Sequence, residues 1–479
     1  SAQLEELDYE KLYRAYSPRG RKSAVEPRVL FEVLVYGYLC GIYSSRKLEE
    51  ACRYRVDFMW LLGDEPVPDH TTIARFHTKR CQAAVEDLFY QLVRKLEQMG
   101  ETDHEAVFID GTKLESRAGR YTFVWRKTVE KHLAKVKGSV KQQTGISSLA
   151  ALCTHLAQQA AEISFVHGSG RRKSAEQRRW EALDELRRRW EGYEVSLAIM
   201  GEGRNSYSKT DPDATFMRLK EDHMRNGQLK PAYNVQIAVN SEYITGVGVF
   251  SDRNDVKTLQ PFLHSVERHH QCRYEQVVVD AGYESLENYL YLESTGQTCF
   301  IKPTNYDQQK KGKFKKQIGR VENMSYDQER DCFICAQGRT LSLRREMSEI
   351  LNGHLVTTAW YRCESCADCP CRAQCCRAKD LEQPKEIMLR KTFWEKRAQA
   401  TENVTSPRGI HLRLCRSIQV EGAFGLIKND FGFRRFLTRG KANIRTELFF
   451  LCMAFDLKKL WMKREHGRLQ TRASLKLVS

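Results

Sequence analysis

Residues 107–115, VFIDGTKLE, decide the reading of this chain. An apolar, β-prone run leads straight into Asp110, and Gly111 and Lys113 follow at once. The pattern predicts a buried strand with a carboxylate at the point where it comes into the open. Residues 276–285, QVVVDAGYES, repeat it: three valines form a fully buried run, Asp280 closes it, and the small residues Ala281 and Gly282 follow. In open α/β sheets the carboxyl ends of strands are where ligands bind. Two strands delivering aspartates to one edge place like charges side by side, and these repel unless a cation lies between them.

A third carboxylate stands in residues 416–447, RSIQVEGAFGLIKNDFGFRRFLTRGKANIRTE. Glu421 lies in a helical segment with Lys428 seven residues on, about two turns away and so on the same face. The same stretch carries Arg434, Arg435, Arg439, Lys441 and Arg445. Hard cations such as Mg²⁺ prefer oxygen ligands, and a pair of them stabilises the attacking and leaving oxygens of an in-line phosphoryl displacement. Two aspartates and a glutamate suffice for that purpose, because waters and substrate phosphate oxygens complete the shells.

Composition agrees with a polyanionic partner. The 479 residues carry 78 Lys and Arg against 61 Asp and Glu, a formal charge of +17, with 41% hydrophobic content. That is a globular chain long enough for two to four domains, and its charge points first to nucleic acid. The longest uncharged apolar stretch, 33–45, has 13 residues, short of the roughly 20 needed to span a bilayer. No membrane partner and a cytoplasmic, nucleoid-associated location are expected.

Residues 1–100 read as helical. Pro27 suits the first turn of a helix, a second helix is predicted over 47–60, and Asp69 or Thr71 can cap a third; the grouping resembles a helix-turn-helix. From 129 to 228 the sequence is helical and heavily charged, with Trp180, Leu183, Arg187 and Trp190 on one stripe, an expected helical insertion. Strand character returns in 232–252, two runs separated by Asn240, Ser241 and Glu242, a hairpin signal. A helix, the strand ending at Asp280, another helix and the strand in TCFIKP complete a mixed α/β pattern.

These pieces together resemble the transposases of bacterial insertion sequences, of the Asp-Asp-Glu (DDE) group with a ribonuclease H-like catalytic core. The resemblance rests on PDHTTIARFH (68–77), FIDGTKLESRAGRYTFVW (108–125), SKTDPDATFM (208–217), KPAYNVQIAVN (230–240), VVVDAGYES (277–285) and above all 416–447. It implies Asp110, Asp280 and Glu421 as a Mg²⁺- or Mn²⁺-binding catalytic triad, with Lys428, Arg416, Arg434, Arg435, Arg439 and Lys441 contacting DNA phosphates. In the family signature an arginine and a tyrosine precede the glutamate; here Arg416 stands one residue farther from Glu421 than expected, and no tyrosine precedes it. The resemblance also implies an α/β, ribonuclease H-like mixed sheet flanked by helices, built from 101–128, 229–302 and 411–465. Around it stand an N-terminal helical DNA-binding domain (1–100), the helical insertion (129–228) and a Cys-rich insertion (303–410).

The expected activity is binding of the element's terminal inverted repeats, metal-dependent cleavage and strand transfer into target DNA. A homodimer is expected because two ends must be brought together. A ribonuclease H-like nuclease or resolvase without strand transfer, and a zinc-dependent regulator with vestigial carboxylates, are the alternatives. Asp252 and Asp255 rival the triad, although Asp255 suits a helix cap; Glu115 is expected on the turn after the strand. Of 16 cysteines, eight fall between Cys332 and Cys376, in Cys-x-x-Cys steps that fit a structural Zn²⁺. The candidate ligands are Cys332, Cys335, Cys363, Cys366, Cys369 and Cys375.

Overall fold

Buried runs of β-branched and aromatic residues become one sheet, and helical-period runs pack on it. The computed structural model describes residues 2–16, 23–167, 172–219, 227–351, 353–376, 380 and 383–470. The first strand, β1 (Ala106–Glu115), is longer than the predicted run to Asp110. Two short strands, β2 (Phe123–Trp125) and β3 (Ser206–Ser208), pair with each other beside it. The six-stranded mixed sheet is completed by β4 (Thr215–Arg218), β5 (Leu229–Asn240), β6 (Tyr243–Phe250), β7 (Gln276–Val279) and β8 (Thr298–Ile301). Across it, β4 and β6 both pair with β5, followed by β1, β7 and β8. The pairings of β5 are antiparallel, whereas β1, β7 and β8 run parallel. Thr215–Arg218, inside the stretch expected as an insertion, therefore belongs to the main sheet.

The hairpin predicted at 240–242 forms, with Ser241 and Glu242 both at positive φ. Two non-glycine residues in that region carry a conformational cost, which here is offset by contacts from outside the hairpin. The Glu242 N–H donates to Gln419 Oε1, its carboxylate accepts from Lys459, and the Ser241 carbonyl accepts from Lys463.

Lys459 and Lys463 lie on the helix Lys441–Glu465, whose residues Leu448 to Phe455 are all buried. Its length of apolar surface joins the N-terminal helices to the sheet in one continuous core, with Phe31 and Phe450 rings 5.1 Å apart. Pro27 does open the helix Pro27–Leu39, and Asp69 caps the helix His70–Arg75 by accepting from the Thr72 N–H. The helix predicted over 47–60 is instead two, Ser45–Tyr54 and Val56–Leu62. Arg55 between them is extended, and the break turns Phe58 and Leu62 into the core.

Three helices, Arg126–Thr144, Leu149–Glu162 and Ala175–Met200, pack around Leu133, Val136, Leu152, Leu156, Leu183 and Trp190. On the predicted stripe, Arg187 does not enter this core; it pairs with Asp184 and Glu191. A second, antiparallel sheet holds β9 (Ser325–Asp327), β10 (Cys332–Ile334), β11 (Thr340–Leu351), β12 (His354–Cys363) and β13 (Glu386–Arg390), in the order β13-β12-β11-β10-β9. No described helix is long and apolar enough to cross a membrane.

One ion pair in the main core is almost sealed from solvent. Lys463 Nζ lies 3.0 Å from Glu101 Oε2, with side chains 2% and 1% exposed, and the Tyr243 hydroxyl donates to the same oxygen. Removing one partner strands the other charge. Lys463→Ala is expected to destabilise the fold by about 3–5 kcal/mol in urea unfolding, and Lys463→Met with Glu101→Gln to recover most of that. Equal losses in the single and double variants would show that packing, not charge, carries the effect.

Candidate active site

The two aspartates are brought together by strand register. β1 and β7 pair in parallel with Ala106 opposite Gln276, Val107 opposite Val277 and Phe108 opposite Val278. The same offset sets Asp110 beside Asp280, where β7 has just ended. Asp110 is buried and its Oδ1 accepts from the Gly111 N–H at 2.8 Å. Asp280 is more open and caps the turn Ala281–Tyr283 through the Gly282 N–H, also at 2.8 Å.

Gly111 answers why a glycine follows the first aspartate. A Cβ there would lie 2.2 Å from Gln236 Nε2 and 2.9 Å from Asp255 Oδ1. The space is taken by a polar cluster on β5: Asn234 and Gln236 amides both donate to Asp255 Oδ1, at 2.7 and 3.0 Å. Asp255 therefore does not use its side chain as the helix cap the sequence suggests. Asn254 takes the capping position, and only the Asp255 backbone carbonyl bonds Thr258. Its other oxygen faces the position of a Gly282 Cβ at 3.4 Å, so Asp255 adjoins both aspartates. Asp252 lies elsewhere, 3.6 Å from where a Gly203 Cβ would stand and within electrostatic reach of Arg204 and Lys441.

Glu421 arrives on a helical segment whose Val420 and Ala423 share a core with Phe108 and Val278, on the face to which strand alternation also turns Asp110. The segment from Pro407 is α-helical to Arg416, passes through a π-helical turn at Ser417–Glu421, and has a second at Leu426–Asp430. A π turn closes i→i+5 bonds, so residues five apart stack where in an α-helix those four apart would. This accounts for the one-residue displacement of Arg416: the π turn absorbs the extra residue and returns its side chain to the face of Glu421.

The guanidinium of Arg416 then sits among all three carboxylates. It is 3.1 Å from Asp110 Oδ2, 3.7 Å from Asp280 Oδ2 and 3.8 Å from Glu421 Oε1, and its side chain is only 12% exposed. The Tyr283 ring completes the surroundings. Its hydroxyl donates to Gln236 Oε1, and burial, with Asp255, Asp110 and Asp280 nearby, raises its pKa far above that of a free phenol. Sequence spacing offered no sign of Tyr283, whereas two polar residues at period two inside the buried run of β5 were a signal for Asn234 and Gln236.

Most of the basic residues lie at the far end of β1, beyond the carboxylates. Residues 434–439 run alongside the end of β1: the Phe436 N–H donates to the Glu115 carbonyl, Arg435 Nε to the Ser116 carbonyl at 3.2 Å, and Arg439 to the Arg117 carbonyl at 3.3 Å. Arg434, Arg435, Arg439 and Lys441 are exposed. Lys428 is half-buried in the second π turn, and its carbonyl accepts from Arg434. Glu115 ends β1, not the turn after it, and is ion-paired with Arg120 and Lys230, both at 3.3 Å.

In the Cys-rich region the structure gathers part of the predicted set. The Cys363 thiol donates to the Ser365 carbonyl at 3.3 Å, and burial, with Cys366 beside it, pushes its pKa up to about 11. Cys335 and Cys375 lie within electrostatic reach and pack on the same core around Phe333. Cys332 alternates to the other side of β10 from Phe333 and is outside that core, so it does not join Cys335. Cys369 is half-exposed, and Cys371 accepts from the Gln337 amide at 3.1 Å.

Comparison with known families gives two matches. Residues 2–79 match a family described as Transposase domain (DUF772), and residues 334–461 match Transposase DDE domain. The second spans Arg416, Glu421 and Lys428 and lies beyond both aspartates. No curated protein and no solved structure matches the chain. Transposase families are thus matched at both ends of the chain, and together they support an insertion-sequence transposase of the DDE group.

Proposed function

We propose that the protein cuts DNA at the ends of an insertion sequence and joins the freed 3′ ends to target DNA, with Asp110, Asp280 and Glu421 as its catalytic carboxylates. The observation that carries this is the convergence of all three on one buried guanidinium. Three carboxylates from three separate segments are stable together only around positive charge. That donor set, all oxygen, suits Mg²⁺ or Mn²⁺. A pair of such ions, when bound, stabilises the attacking and leaving oxygens of phosphodiester displacement. The sheet order, with antiparallel β4, β6 and β5 followed by parallel β1, β7 and β8, supports a ribonuclease H-like core.

Within that reading the chain's own groups divide the work. Asp110 is buried and fixed by strand register, so it sets the position of the site; Asp280 and Glu421, 41% and 60% exposed, face the substrate side. Arg416 holds the three carboxylates together, and its guanidinium would be free to meet a DNA phosphate once bound metal ions neutralise them. Lys428, Arg434, Arg435, Arg439 and Lys441 grip the backbone of double-stranded DNA beside the end of β1. The attacking oxygen is water in cleavage and the 3′-hydroxyl in joining. The N-terminal helices contribute recognition of the terminal repeats, and a homodimer holds two ends. Cys335, Cys363, Cys366 and Cys375 would hold a structural Zn²⁺. They are gathered around one core, although no three of their sulfurs lie within 4.8 Å of one another.

The central test uses labelled DNA carrying an element end with Mg²⁺ or Mn²⁺. Asp110→Asn, Asp280→Asn and Glu421→Gln should each reduce cleavage and joining to background while end binding survives; persistent cleavage in any one removes that residue from the site. Arg434→Ala should lower the slope of log affinity against log salt by about 0.9, the loss of one phosphate contact, and an unchanged slope would remove it from the DNA surface.

Arg416 gives a test without DNA. The melting temperature of Arg416→Ala should fall in EDTA and rise more steeply with Mg²⁺ than the wild type, because three carboxylates lose their internal cation. Parallel shifts in the two proteins would deny it that role. For the cysteines, purified protein should retain zinc that Cys363→Ser and Cys366→Ser lose, and equal zinc in all three would exclude them as ligands.

A further inference from the structure

Just before β1 begins, three side chains converge that the transposition chemistry does not use. His104 precedes β1 and lies six residues before Asp110, roughly 20 Å away along an extended chain. Glu97 lies in the last turn of the helix Val85–Gln98, and His270 ends the helix Leu259–His270. Ligand atoms of Glu97, His104 and His270 all lie within 4.8 Å of one another, and this is the one such group of three among the described residues.

The hydrogen bond at the His270 ring leaves a specific lone pair. His270 Nε2 is 2.8 Å from the Thr245 carbonyl, an oxygen that only accepts, so the proton is on Nε2 and Nδ1 carries a lone pair. That Nδ1 is buried with no hydrogen-bond partner. His104 Nε2 is 2.6 Å from Glu97 Oε1, a contact whose shared proton a divalent ion would replace. The buried, unpartnered Nδ1 of His270 carries a desolvation cost that a hydrogen bond or a metal would relieve. The rings meet edge to face at 5.6 Å, and Tyr274 packs on both.

The His270 imidazole, whose second nitrogen donates to a carbonyl, has the usual form of a metal-bound histidine, with its tautomer and orientation fixed from behind. Two imidazoles and one carboxylate form a borderline nitrogen and oxygen donor set that zinc accepts, whereas Mg²⁺ prefers oxygen alone.

We infer that Glu97, His104 and His270 form a binding site for a zinc-class divalent ion, separate from the carboxylate site and from the cysteines. Such an ion ties together the end of one helix, the loop entering β1 and the end of a second helix, and so fixes the start of the strand that carries Asp110.

The test is zinc content of the full chain after loading with Zn²⁺ and desalting. Wild type should hold one zinc per chain more than Glu97→Gln, His104→Gln or His270→Gln. With Co²⁺ as probe, the wild-type-minus-variant spectrum should show visible d–d absorption without the thiolate charge-transfer band that cysteine ligation would add. Glu97 is exposed, so Glu97→Gln keeps the ring packing and reports on binding even if a histidine variant fails to fold. Equal zinc in wild type and Glu97→Gln, or a thiolate band in the difference spectrum, overturns the site. DNA cleavage is a separate readout, so this site can fail while the carboxylate reading stands.

Discussion

The parallel pairing of β1 with β7 is the constraint on which the rest depends. Its register is set by buried valines and aromatic residues, because a one-residue slip would turn each of them to the opposite face. Hydrophobic packing thus fixes the position of two negative charges that would otherwise separate. The core holds Asp110 and Asp280 together by geometry, and the Arg416 guanidinium, 3.1 and 3.7 Å away, offsets their repulsion.

Around that pair the chain uses small residues to make room and amides to hold shape. Gly111 and Gly282 each follow an aspartate closely and each face Asp255, whose carboxylate Asn234 and Gln236 clamp on one side. A methyl group at Gly111 would collide with both Gln236 and Asp255. The repeated Asp-then-small pattern in the sequence is therefore a packing requirement of a crowded acidic site as well as the mark of a strand end.

Much of this was legible in the sequence because it is local. Apolar runs ending in aspartate gave the two strands, period-3.6 stripes gave the helices, and Ser241–Glu242 marked the hairpin. What was not legible depends on partners distant in the chain or on a change of helical period. Asp255 read as a cap because its neighbours permit one, whereas side chains 19 and 21 residues earlier claim it. The helix over 47–60 read as continuous because the demand that breaks it, burial of Phe58 and Leu62, comes from the tertiary core. Cys332 and Cys335 looked like a ligand pair by spacing alone, but strand alternation sends the first to the opposite side. Arg416 looked misplaced by one residue because an α-helical ruler was applied to a π turn.

That π turn is held open from outside the helix. Gln419, in its middle, accepts the N–H of Glu242, a residue forced to positive φ at the β5–β6 turn. Glu242 in turn is fixed by Lys459, and the adjoining Ser241 by Lys463, both on the long helix that also packs the N-terminal helices. A strained hairpin, an irregular helix and a buried spine therefore stabilise one another, and the combined result is the orientation of Arg416 and Glu421. Irregular π turns carry poorer hydrogen bonding than an α-helix and persist where something over-determines them. Here the Gln419–Glu242 contact does so, linking the geometry of the third carboxylate to the same sheet whose register places the first two.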